Sequence, residues 1–171
     1  MSAFPLTRRA ALVALAALAL QGCATAVPTA ATSGLRIRAI KVDVSPIRAS
    51  MGDPTAAWVE QALPGALAHS LAPYMAPGDR NGATLVARID TLYLGSSGGG
   101  PGFFGQTQDT ISGALLLESP RGGVIANVPL RAISSYFPMA VDQPLFERAL
   151  QGRVATLAQA FAGWAPRELG L

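Results

Sequence analysis

The chain holds one cysteine and one histidine among 171 residues, and each shortage excludes a class of chemistry. A single cysteine makes no internal disulfide. A single histidine, with no second thiol and no carboxylate cluster beside it, cannot build a structural zinc site. No apolar run approaches the roughly 20 residues that a membrane-crossing helix needs. Charged residues make up only 13% of the chain, and no basic stripe interleaves with aromatics, so the sequence offers nothing to nucleic acid. Low charge combined with 50% hydrophobic residues also argues against disorder.

What is present begins at the N-terminus. Arg8 and Arg9 precede an unbroken apolar run from Ala10 to Leu20, followed by Gln21, Gly22 and Cys23. The run has 11 residues, the length of a secretory h-region rather than of a membrane span. A basic pair, a short apolar core, Leu20 three places before the only cysteine and the small Gly22 just before it resemble a bacterial lipoprotein signal with its lipobox. Gln21 is the less usual residue of the four.

The resemblance implies that residues 1–22 are a cleaved signal peptide. It also implies that the Cys23 thiol carries diacylglycerol and that the new amine carries an acyl chain such as palmitate. Each buried methylene adds about 0.8 kcal/mol, and two or three chains suffice for stable anchoring. Ala24 stands where lipoproteins kept in the inner membrane often carry Asp, which favours a periplasm-facing place on the outer membrane. Thr7 to Leu12 also resembles a twin-arginine export signal, without the usual aromatic two places after the second arginine. General secretory and twin-arginine export both stay open.

Removal of the signal would leave 149 residues, enough for one domain with a substantial core. Arg8 and Arg9 leave with the signal, so the 13 basic residues become 11 against 10 acidic ones, a net charge of +1. Residues 23–34 read as the lipidated cysteine and a flexible tether, small, polar and proline-containing. Residues 35–171 read as a single α+β domain.

Within it, Leu35–Val44 is the first expected strand. Its alternation shifts phase at Ala39-Ile40, as a β-bulge would make it do. Asp53-Pro54 reads as a helix start with Asp53 as the capping acceptor. Trp58, Val59, Ala62, Leu63, Ala66, Leu67, Leu71 and Tyr74 follow at helical spacing. Pro64-Gly65 predicts a kink or break in that helix.

Thr84–Leu94, Thr110–Glu118 and Val124–Phe137 read as an antiparallel meander, with Leu85, Ala87 and Ile89 inward and Arg88 and Asp90 outward. Pro129 places the last strand at an edge or a bulge. A second amphipathic helix runs from Pro144 through Trp164, and Pro166 is expected to end it. The order β-α-β-β-β-α predicts a four-stranded, mainly antiparallel sheet with two amphipathic helices on one face.

Candidate sites are few. Gly95-Ser96-Ser97-Gly98-Gly99 fits G-x-S-x-G, but it leads to a strand rather than a helix, and the one histidine, His69, lies upstream. Gly100 to Gly105 fits G-x-G-x-x-G, yet no helix opens there to meet a pyrophosphate. No cofactor or metal is expected. Six of the eleven residues from Gly95 to Gly105 are glycine, and Phe103-Phe104 sit among them. This stretch is a candidate contact loop, an apolar finger for a bilayer surface or a partner's groove. Its alternative is a hairpin tip folded back on the sheet. Asp90 and Asp109 flank the loop; neighbouring carboxylates would serve acid–base work, and solvated strand ends explain them as well. Trp58 and Trp164 read as core anchors of the two helices.

The element order behind a lipobox resembles the lipoprotein of the lipopolysaccharide translocon and the auxiliary lipoprotein of ABC-type lipid transport systems. It implies a non-enzymatic accessory or docking subunit of an envelope transport or assembly complex, with an envelope protein as partner. A binding module for a small apolar or lipidic ligand is the second expectation. An enzyme built on His69 or on Asp90 and Asp109 is the third.

Overall fold

A computed structural model describes Thr32, residues 34–95, 107–136 and 143–171. The chain forms β1 (Ile37–Asp43), α1 (Ser45–Met51), α2 (Thr55–Ser70), a 3-10 turn (Ala72–Tyr74), β2 (Ala83–Tyr93), β3 (Thr107–Glu118), β4 (Val124–Tyr136) and α3 (Gln143–Glu168). The four strands make one sheet in sequence order, with β1 parallel to β2 and the other pairs antiparallel. The α+β class and the expected order hold, with α1 as an added short helix. Its sequence starts with Ser45-Pro46, which reads as a strand stop but also supplies a proline near the first helical position.

Alternation along the strands sorts the side chains. Leu85, Ala87 and Ile89 of β2, Ile111, Leu115 and Leu117 of β3, and Ala126, Val128, Leu130 and Ala132 of β4 are all buried on one face. Val59, Leu63 and Leu67 of α2 and Val154, Leu157 and Phe161 of α3 close over them. Fully burying such a side chain contributes about 1.5–3 kcal/mol, so this interlayer carries most of the stability. The phase change in β1 falls at Arg38, one residue before the expected place, and further bulges occur at Asp90 and Ile125. Pro129 lies in β4, which is an edge strand as expected.

Three local expectations are corrected. Of the kink or break expected at Pro64-Gly65 the break does not occur, since α2 runs continuously for 16 residues. Proline in a helix interior costs about 3 kcal/mol. The fully buried Val59, Leu63 and Leu67 on either side outweigh that cost. Pro166 likewise lies inside α3, held by the buried Ala165 and Leu169 beside it. Asp53 does not cap α2, whose N-cap is Pro54 without a side-chain bond. Its carboxylate instead accepts from Arg48 Nε at 3.2 Å. Arg48 Nη2 also reaches Glu60 at 2.8 Å, which ties α1 to α2.

Two predictions follow from packing and charge. Gly113 of β3 sits where a Cβ would lie 1.9 Å from the Arg88 carbonyl oxygen of β2, closer than any contact allows. Gly113→Ala is expected to cost about 3 kcal/mol, as strained overpacking does, seen as a lower urea midpoint at unchanged slope. The Asp43 carboxylate is held below its ordinary range by the hydrogen bonds from Ser45 at the start of α1, aided by Arg88. A depressed folded value gives stability that is present above the unfolded value of about 3.9 and is lost as pH falls through the folded one. Asp43→Asn should therefore lower stability at neutral pH, leave stability below the folded-state pKa comparatively unchanged, and so flatten the acid limb of a stability–pH curve measured by urea denaturation.

Candidate functional site

The most constrained polar cluster lies where β2 ends and β3 begins. Asp109 is 1% exposed and faces the helices from the inner side of β3. Arg153 comes from α3, at a place in the helical pattern that apolar residues otherwise occupy. Its Nε donates to Asp109 Oδ2 at 2.8 Å, and its Nη2 donates to Asp109 Oδ1. The same Nη2 donates to the Gly95 carbonyl at 2.7 Å, while the Gly95 N–H donates to Asp109 Oδ1 at 2.9 Å.

One guanidinium and one carboxylate thus hold both ends of the segment 96–106. A two-pronged Arg–carboxylate pair is charge-assisted and fixes orientation as well as energy. The pair is a clasp on the base of the glycine-rich stretch. Both Asp109 oxygens accept hydrogen bonds within this cluster.

The sequence candidates separate. Asp90 is solvent-exposed at the β2 bulge and accepts from Arg88 Nε at 3.0 Å. It does not join Asp109, so the two carboxylates form no acid–base pair. Burial of Asp109 also removes it from the solvated strand ends that were the other reading. His69 is exposed near the end of α2, on a cleft of about 670 Å³ between α2 and α3. Ala62, Gly65, Ala66, Ser70, Ala155 and Gln159 complete its lining. No carboxylate or second histidine faces His69 there.

Trp58 is half-buried against the core as expected. Trp164 is not a core anchor; it is 45% exposed, with the Arg167 guanidinium 5.1 Å from its ring centroid. It falls outside the buried stripe formed by Leu157, Phe161 and Ala165. Arg8, Arg9, Leu20, Gly22, Cys23, Phe103 and Phe104 lie outside the described residues. Arg153 is the residue that sequence reasoning passed over. The signal for it was a lone arginine within an apolar helical stripe, opposite a strand that begins with an acid.

No protein-family model matches the chain, and no curated protein matches it. Solved structures resemble it distantly. A candidate lipoprotein of Caulobacter crescentus CB15 aligns at TM-score 0.48 and 13% identity, over 83% of this chain and 92% of that one. A minor lipoprotein of Acinetobacter baumannii aligns at TM-score 0.43 and 14% identity, over 77% and 93% of the two chains. An uncharacterized protein gives the same score and identity over 75% and 90%. Likeness at this distance carries no argument about role.

The clasp makes a specific energetic prediction. Asp109→Leu or Arg153→Met alone leaves one charge buried without its partner and should cost about 3–5 kcal/mol. The double variant, with both charges replaced by apolar groups, should cost less than either single change. A double-mutant cycle read by urea denaturation checks this.

Proposed function

We propose that the protein is a lipid-anchored, non-enzymatic accessory or docking subunit of a cell-envelope transport or assembly complex. The observation that carries the reading is the Leu20-Gln21-Gly22-Cys23 lipobox behind an 11-residue apolar run. A lipidated Cys23 fixes the domain to a membrane without any spanning helix. Among the described residues, no helix is long and apolar enough to cross one. Ala24 favours the outer membrane. The clasp supports docking, because it gives the segment carrying Phe103-Phe104 a rigid base on the sheet and on α3.

The binding-module reading has one observation in its favour, the cleft between α2 and α3. A ligand between helices and sheet is less favoured. Leu63, Leu67, Leu115, Leu117, Leu157 and Phe161 fill that layer.

Native electrophoresis of detergent-extracted membranes separates the two readings. The docking reading expects the lipoprotein in a species well above its own mass, released toward the monomer by Phe103→Ser/Phe104→Ser. A monomer that retains extractable lipid, unchanged by that double substitution, would favour the binding module and sink the docking reading.

A further inference from the structure

The fold has two poles. Gly34, where the chain enters the domain, lies beside the start of β2, since the Ala83 N–H donates to the Arg36 carbonyl at 2.7 Å. The hairpin turn 119–123 sits at that same pole, because Thr84 pairs with Glu118 and Glu118 with Val124. The last turn of α3 is there too, with Gly170 against the Thr32 side chain. The clasp and the first turn of α3 are at the opposite pole, one sheet length away. Ten steps of β2 at about 3.3 Å span about 33 Å.

Charge divides along the same axis. The tether pole carries Arg36, Arg38, Arg80, Arg121 and Arg167 against Asp79, Glu118 and Glu168. Arg36, Arg80, Arg121 and Arg167 are exposed, and none has a carboxylate partner among the described residues. Beyond that pole Arg48 bonds Asp53 and Glu60, Arg88 bonds Asp90, and Arg153 bonds Asp109. Lys41, Arg131 and Arg148 are exposed there without a carboxylate partner among the described residues. Asp43, Asp53, Glu60, Asp90, Asp109 and Glu147 nevertheless balance the basic residues of that part, whereas the tether pole keeps a basic excess. Exposed apolar side chains occur at both ends, Val124 and Ile125 at the basic pole and Tyr93, Ile133, Leu145 and Phe146 toward the clasp, so charge is what distinguishes the poles. Trp164, one turn from Arg167, lies beside Pro129–Arg131 of β4. Arginine beside half-exposed tryptophan and aliphatic groups suits the boundary between headgroups and acyl chains.

We propose that this basic pole lies on the anionic phospholipid surface that carries Cys23, with the clasp pole held beyond that bilayer's reach. The inference rests on the lipid-anchor reading and adds a posture to it. Thr32 is buried, so only residues 24–31 separate the lipidated cysteine from the folded domain. Nine steps of extended chain reach at most about 30 Å, and a flexible chain averages about half that. An inverted domain, with Leu145 and Phe146 in the bilayer, would need the tether to span the full sheet length. Each arginine near an anionic surface strengthens attraction about five-fold at physiological salt, and the effect fades with added salt.

The test uses the full lipidated protein in vesicles of phosphatidylcholine alone or mixed with phosphatidylglycerol. Cys23 is the only cysteine, so lipidation leaves an introduced cysteine as the sole thiol for a fluorophore. Asn81→Cys marks the basic pole and Phe146→Cys the far one, with nitroxide-headgroup lipid as quencher. We expect strong quenching at position 81 on anionic vesicles, at least halved by Arg80→Glu/Arg121→Glu or by high salt. Position 146 should stay unquenched on both vesicle types. Quenching at 146 equal to that at 81, or quenching at 81 indifferent to lipid charge and to the arginine reversals, would overturn the posture while the anchor stands. Protein that fails to float with vesicles would instead remove the anchor reading, and the posture with it.

Discussion

The carboxylate of Asp109 and the guanidinium of Arg153 meet where two strands and the terminal helix converge. Taking both charges out of water is expensive, and it is tolerated only because the pair is two-pronged and the Gly95 N–H and carbonyl join it. The consequence is a fixed register between α3 and the sheet. Apolar packing alone would tolerate sliding of α3 along the sheet, because leucine and alanine side chains offer many near-equivalent seats. A single directional charge pair does not. It sets where Val154, Leu157 and Phe161 land over β3 and β4, and so where the last turn of α3 meets the beginning of the domain.

The same clasp ties Gly95, at the end of β2, to Asp109, near the start of β3. Loop-closure cost grows only slowly with length, so a long connection between β2 and β3 is affordable if its ends are held. Both ends are held here by main-chain or side-chain bonds to one arginine.

Much of the architecture was legible because strand alternation and helical spacing report burial directly. Leu85, Ala87 and Ile89, and Val59, Leu63 and Leu67, fall where their spacing puts them. Local rules failed where tertiary packing outweighed them. Pro64 and Pro166 sit inside helices because buried neighbours override a local cost that sequence alone charges in full. The short α1 was hidden because Ser45-Pro46 serves equally to end a strand and to start a helix. Of the site, Asp109 was visible and its partner was not, since pairing across 44 residues leaves no local pattern. The polarity of the arginines was invisible for a related reason. Arg36, Arg80, Arg121 and Arg167 are scattered along the chain, and only the topology gathers them at one end.

On the proposed reading the two ends of the domain have different work, one facing its membrane and one facing outward, with a lipid on Cys23 as the premise of both. The most direct check of that premise is the intact mass of the protein purified from bacterial membranes. The account predicts a chain that begins at Cys23 and carries a diacylglyceryl group with a further acyl chain. A mature chain starting elsewhere, or one with an unmodified Cys23, would contradict it.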